Sequence, residues 1–334
     1  MYNRKIKNLF RYICLLCSLS LCIAFTSCNG KTEEEETIGE KYYTVSFNTN
    51  GGSIVESLKV KENTYATRPE DPTLDNYVFS RWERDGREWH FDTKAVTEDV
   101  TLSALWVSAV ELFELEPDEA TGGLMIAGYK KHGSFSTLNI PSTINGKTVM
   151  GIAHEGMNNT NTDYAQKFII PETVTFIGDE AFADSTEIYF DIKGTITRIG
   201  EASFKSCRLL EYVKLGEGIT TIPFMCFYEC ASLKTINVPK GVTTIEENAF
   251  EGCVSMKTIV LPATLTSIQD SAFYQCKSIV SVFFEGTEEQ FDKIDIADSN
   301  DPILDANIYF YSETQPSESG SFWHYENGSP VIWK

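Results

Sequence analysis

Isoleucines at 152, 177, 199, 222, 245 and 268 are separated by 25, 22, 23, 23 and 23 residues, and this period constrains the chain more than any other feature. Five positions after each comes a large apolar residue, Met157, Phe182, Phe204, Phe227, Phe250 or Phe273. Three further on stand Thr160, Ser185, Cys207, Cys230, Cys253 and Cys276. A unit of about 23 residues cannot bury its own apolar slots, so successive copies must stack into one continuous core. The fold expected is therefore mainly β, a solenoid of about six coils of 22–25 residues. Each coil begins with a strand such as Leu233-Lys-Thr-Ile-Asn-Val238.

The spacing L-x-x-I-x-L-P-x-x-L-x-x-I-x-x-x-A-F-x-x-C over residues 137–284 resembles the BspA-like family of leucine-rich repeats. That resemblance implies a surface protein that binds other proteins. Residues 42–107 carry a second pattern, V-x-F-x-x-x-G-G, then F-x-x-W, then L-x-A-x-W, which is similar to the Listeria-Bacteroides repeat and implies a small β-grasp-like module. Tyr43–Phe47 alternates as a half-buried strand does and Asn50-Gly51-Gly52 signals a turn, so a hairpin is expected there. Trp82, Trp89 and Trp106 could stack on carbohydrate, but a small domain needs such large side chains for its own core.

Ahead of these lies a basic stretch with Arg4, Lys5, Lys7 and Arg11, an apolar run from Tyr12 to Phe25, and Thr26-Ser27-Cys28. This reads as an export signal over residues 1–27, too short to span a bilayer. Its end resembles a bacterial lipobox, which implies a lipid on Cys28, and the acidic run Glu33 to Glu36 beyond it resembles the tag that sends some Gram-negative lipoproteins to the outer face, which implies attachment to the outer membrane, facing outward. Residues 28–41, with Glu33 to Glu36, read as an acidic flexible tether. Residues 108–136 are expected to cap the front of the solenoid and 285–334 its end, since an array must hide its terminal rungs.

The net charge is -20, and -24 once the four signal-segment cations are set aside. Such a surface repels phosphate backbones, so nucleic acid is not expected as a partner. After the export segment and Cys28, five cysteines remain, an odd number that argues against a full disulfide framework. Cys207, Cys230, Cys253 and Cys276 share one repeat slot and are expected as a ladder of small buried hydrophobes, with Cys226 in a neighbouring small-residue slot shared by Ala181, Ser203, Ala249 and Ala272. Pairing between rungs stays open. His90, His132, His154 and His324 are scattered, and no hydrolase, metalloprotease or phosphate-loop motif occurs. The aspartates between Asp292 and Asp305 lack EF-hand spacing. No catalytic residue, cofactor or metal is therefore expected.

What is left is binding, and alternate residues on each strand face outward. The outward pairs are Thr137/Asn139, Lys167/Ile169, Tyr189/Asp191, Tyr212/Lys214, Thr235/Asn237, Thr258/Val260 and Ser281/Phe283. Stacked, they form a strip whose candidate ligand face is Tyr189, Asp191, Tyr212, Lys214, Asn237, Val260 and Phe283. Three readings are open for a chain expected to act as a monomer: adhesion to an unknown host or bacterial surface protein, glycan binding for nutrient capture, or a passive spacer.

Overall fold

The computed structural model describes residues 40–130, 135, 137–158, 167–317 and 320–334. The export segment, Cys28, the acidic run, His132 and Thr160 lie outside the described residues. Lys41–Lys334 form one unit.

The alternation at the front of this unit folds as expected: Tyr42–Asn48 pairs antiparallel with Leu58–Lys61 and parallel with Val100–Ser108, which pairs antiparallel with Tyr77–Arg84. Asp85 and Gly86, with φ of 53° and 72°, close the tight turn to Arg87–Glu88, the backbone that such a hairpin requires. Trp82 and Trp89 are buried among Val45, Phe79, Phe91 and Leu102. Trp106 packs edge-on to Phe79 and donates its indole N–H to the Thr49 carbonyl at 2.9 Å. The three tryptophans thus build the module's core and offer no bare platform.

The module is joined to the solenoid by more than the chain. Val78 is buried in the solenoid's core. The Asn76 amide donates to the Thr143 carbonyl at 3.2 Å, its side-chain oxygen accepts from the Asn145 amide, and its carbonyl accepts from the Ala109 amide at 2.8 Å. Asn76 holds φ at 70°, a left-handed conformation that asparagine tolerates better than most residues.

The period of 23 becomes a stack of parallel strands. Lys167–Ile170, Tyr189–Ile192, Tyr212–Lys214, Thr235–Asn237, Thr258–Leu261 and Ser281–Phe284 lie side by side, with Lys167, Tyr189, Tyr212, Thr235, Thr258 and Ser281 in register. Thr137–Asn139 precedes them, and Asn307–Tyr311 and Phe322–Glu326 come after in parallel before Ser329–Ile332 turns back. Among the described residues this row has ten strands, so the stack runs past the six copies legible in the sequence. Residues 285–334 extend the row before they close it.

Across the core, the isoleucine slots pair in two separate runs of short strands, from Ile152 through Phe176–Ile177 to Arg198–Ile199, and from Thr221–Ile222 through Thr244–Ile245 to Ser267–Ile268. The connecting backbone is turned, not helical. Its third residue after each isoleucine (Glu155, Glu180, Ala202, Met225, Asn248, Ser271) has φ between 51° and 57°, which breaks any helix in each coil. Its amides bond across coils instead, as from Phe182 to Ser203, Phe204 to Cys226 and Phe227 to Ala249. These bonds stack Phe182, Phe204, Phe227, Phe250 and Phe273 with ring centroids 5.2–5.3 Å apart. Beside the rings runs the cysteine ladder. Each thiol donates to the carbonyl of the phenylalanine one coil back, Cys207 to Phe182 and Cys276 to Phe250, while Ser185 makes the same bond to Met157. The five cysteines among the described residues are buried and free, and burial pushes the Cys226 thiol up to about 12.

Candidate functional site

Along the long strand row, alternation places the expected pairs on the outer face, but only its middle is open. Tyr212, Lys214 and Asn237 are exposed, and Tyr189 and Thr235 half-buried. Asp191, Val260 and Phe283, expected to be exposed, are buried at 5%, 1% and 5%. Different neighbours account for them.

At the far end the cover comes from the terminal strand. Trp323, fully buried, lies edge-on to Phe283 at 5.4 Å and donates its indole N–H to the Phe284 carbonyl at 2.9 Å. With Tyr309 and Tyr325 it seals Val260 and Phe283 into a small apolar cluster on the outer face. Two apolar residues on a strand surface thus serve as the seat for a strap.

At Asp191 the cover is ionic. Its carboxylate lies 2.7 Å from the Lys193 ammonium and 3.9 Å from that of Lys167, which itself sits over the Tyr189 ring at 5.0 Å. Lys193 is held above the usual ammonium range, first by its hydrogen bond to Asp191, with Glu70 of the module adding to the effect. Asp71, in the same module loop, is paired with Arg68 at 2.7 Å, and its side chain bonds that of Thr137 in the first strand of the row. Burial still raises its carboxyl pKa. The loop thus flanks the near end of the row as the strap covers the far end.

Between them lies a cleft of about 300 Å³, with Tyr212, Lys214, Thr235 and Asn237 on its floor. Tyr325, Glu285, Lys240 and Glu217 add further polar side chains, beside the buried Val213, Leu215, Ile236, Val238 and Pro239. Tyr325 donates its hydroxyl to Glu285 at 2.7 Å, and burial, together with this carboxylate, drives its pKa far above the phenol range. The Lys234 ammonium lies 5.4 Å from the Tyr212 ring centre and pairs with Glu211. Lys214 has no ion-pair partner among the described residues. Tyr325, Glu285 and Lys240 were absent from the sequence-derived strip; the one hint was a terminal segment, Phe322–Trp333, richer in aromatics than a closing rung requires. Among the described residues no three histidine, cysteine or acidic side chains gather as a metal site, and no helix is long and apolar enough to cross a membrane.

Residues 158–280 match the model of the BspA type leucine rich repeat region, in six copies. The solenoid is a BspA-type leucine-rich-repeat array. Residues 43–105 match the Listeria-Bacteroides repeat domain. A protein of Evansella cellulosilytica whose name assigns it to a membrane is 30% identical over 113 residues, 33% of this chain and 17% of that protein. The chain thus spans under a fifth of that relative. Among solved structures, a leucine rich cell surface protein of Faecalibacterium prausnitzii is 23% identical with a TM-score of 0.39, covering 54% of this chain and 40% of that one. A leucine-rich repeat protein of Eubacterium ventriosum is 20% identical with a TM-score of 0.45, covering 67% and 56%. As a class, leucine-rich-repeat arrays generally serve protein–protein interaction.

Proposed function

We propose that this chain is an exported surface lipoprotein, anchored to the outer membrane through Cys28 and facing outward, whose BspA-type array holds a surface protein of a host or another bacterium. The contact is the open middle of the strand row, around Tyr189, Tyr212, Lys214 and Asn237. The observation that carries this reading is the distribution of cover: the module loop and the terminal strap enclose the row at its two ends and leave an aromatic and charged patch between them. Aromatic residues with few uncompensated charges are what binding surfaces concentrate at their centres. Asp191, fixed by Lys193, orders the edge of the patch and is not itself offered to a partner.

The test is capture from extracellular-matrix and epithelial-surface extracts by the intact chain, beside a Tyr189→Ala/Tyr212→Ala variant of matched thermal stability. Capture that the variant loses supports the reading; capture that the variant retains in full overturns it. Lipidation is tested separately by mass spectrometry of the membrane fraction, where Cys28→Ser is expected to abolish the lipid-bearing N-terminal peptide.

A further inference from the structure

We infer that the cleft over Tyr212–Asn237 is a sugar-binding subsite that takes one neutral pyranose ring, so that the surface partner is held in part through its glycan. This rests on the reading of the strand row as the contact surface and adds the chemistry of what enters it. The floor is where the row opens. The strands Tyr212–Lys214 and Thr235–Asn237 are paired only at Tyr212↔Thr235, whereas the pairs on either side share three positions each. The sheet therefore parts toward Lys214 and Asn237, and the cleft lies over that gap.

The polar side chains of the lining suit a polyhydroxylated neutral ring better than an ion. Lys214 and Lys240 supply ammonium donors, Glu217 and Glu285 carboxylate acceptors, and the Asn237 amide both a donor and an acceptor. Two cations balance two anions, so no single sign of ligand charge is favoured. Tyr325 adds an aromatic ring, which presents an apolar face beside a polar tip. About 300 Å³ is at the small end of ligand sites, fit for a ring and not for a folded epitope.

The wall is also built in advance. Tyr325 is tied to Glu285 at 2.7 Å and packed against Trp323 at 4.8 Å, and the Lys240 ammonium stands 3.8 Å from the same carboxylate. A preorganised wall reduces the ordering cost of binding. By contrast, the pair Tyr189 and Tyr212 makes no bare platform, because Lys167 and Lys234 lie over their rings.

The experiment uses the intact chain and methyl glycosides of glucose, galactose, mannose and N-acetylglucosamine at about 10 mM, with saturation-transfer NMR and titration as the readouts, since single-ring affinities are of millimolar order. At least one glycoside is expected to bind, with a loss of about tenfold in Asn237→Ala and in Glu285→Gln and no change in Arg208→Ala, on the turned side of the coils. Both cleft variants keep the Tyr325 hydroxyl's acceptor and are checked for an unchanged melting temperature. Surface glycoproteins and soluble polysaccharides, presented in parallel, separate the two sources of such a ring, and capture of either that the cleft variants lose supports the inference. No binding by any glycoside, or binding that both variants retain, overturns it. Periodate treatment separates this failure from that of the wider reading. If capture survives glycan oxidation yet is lost in Tyr189→Ala/Tyr212→Ala, the strand row is the contact and the sugar subsite is wrong; if that variant still captures, the contact surface itself is wrong.

Discussion

Replacing Asn76 tests whether the small module and the solenoid fold as one body. Three backbone and side-chain bonds meet at this residue, and its φ of 70° disfavours a Cβ-bearing residue with no compensating side-chain bond. Asn76→Ala keeps both backbone bonds, loses the bond to the Asn145 amide and places alanine in a left-handed conformation. The strain costs about 1 kcal/mol, and the lost bond about 1 kcal/mol more because Asn145 is exposed and water replaces the acceptor. Asn76→Gly removes the same bond without the strain. The expected destabilisations are therefore about 2 kcal/mol for alanine and about 1 kcal/mol for glycine. Urea unfolding, monitored by tryptophan fluorescence and far-UV circular dichroism, is expected to give one transition that shifts as a unit. Separate transitions, with the solenoid's midpoint unmoved by Asn76→Ala, would refute the coupling, and equal costs for the two variants would refute the strain assigned to alanine at this φ.

The core carries further expectations. Trp323→Ala is expected to cost about 3–5 kcal/mol and to expose Val260 and Phe283, read as new binding of a hydrophobic dye to an otherwise folded chain. The buried thiols make the fold sensitive to alkali. Cys226 ionises near 9 when unfolded and near 12 when folded, so its neutral form stabilises the fold fully below pH 9. That contribution is lost as pH rises toward 12, by about 4 kcal/mol at most. Cys207, Cys230 and Cys253 are shifted in the same direction by burial and add to the slope. Stability measured from pH 8 to 11 is expected to fall steadily, and a flat profile would contradict the buried ladder. Toward a thiol reagent at pH 8, the five buried thiols, Cys207, Cys226, Cys230, Cys253 and Cys276, are expected to react only as fast as the protein opens.

The repeat register was legible because it is a nearest-neighbour property: the isoleucine, phenylalanine and cysteine slots touch the same slots one coil away, about 23 residues distant in sequence. Cover supplied from far along the chain was not. Val260 and Phe283 have the alternation of exposed positions, and Trp323, arriving on another strand with Tyr309 and Tyr325 beside it, makes them buried. Asp191 likewise looks like a surface acid until Lys167 and Lys193 converge on it from two different segments. The extra coil at Asn307–Tyr311 escaped detection because it continues the strand row without carrying the phenylalanine and cysteine slots. The cleft combines both difficulties: its floor is set by periodicity, while Tyr325 and Glu285 come from the segment that periodicity does not describe.

The central claim is that the open middle of the strand row holds the partner. Hydrogen exchange on the intact chain, alone and saturated with the surface protein it captures, tests this directly. The account predicts new protection concentrated in the peptides covering Tyr189–Ile192, Tyr212–Lys214 and Thr235–Asn237, with the turned side around Ser203–Cys207 and Cys226–Cys230 unchanged. Protection confined to that turned side or to the module, with the three strands unaffected, would contradict it.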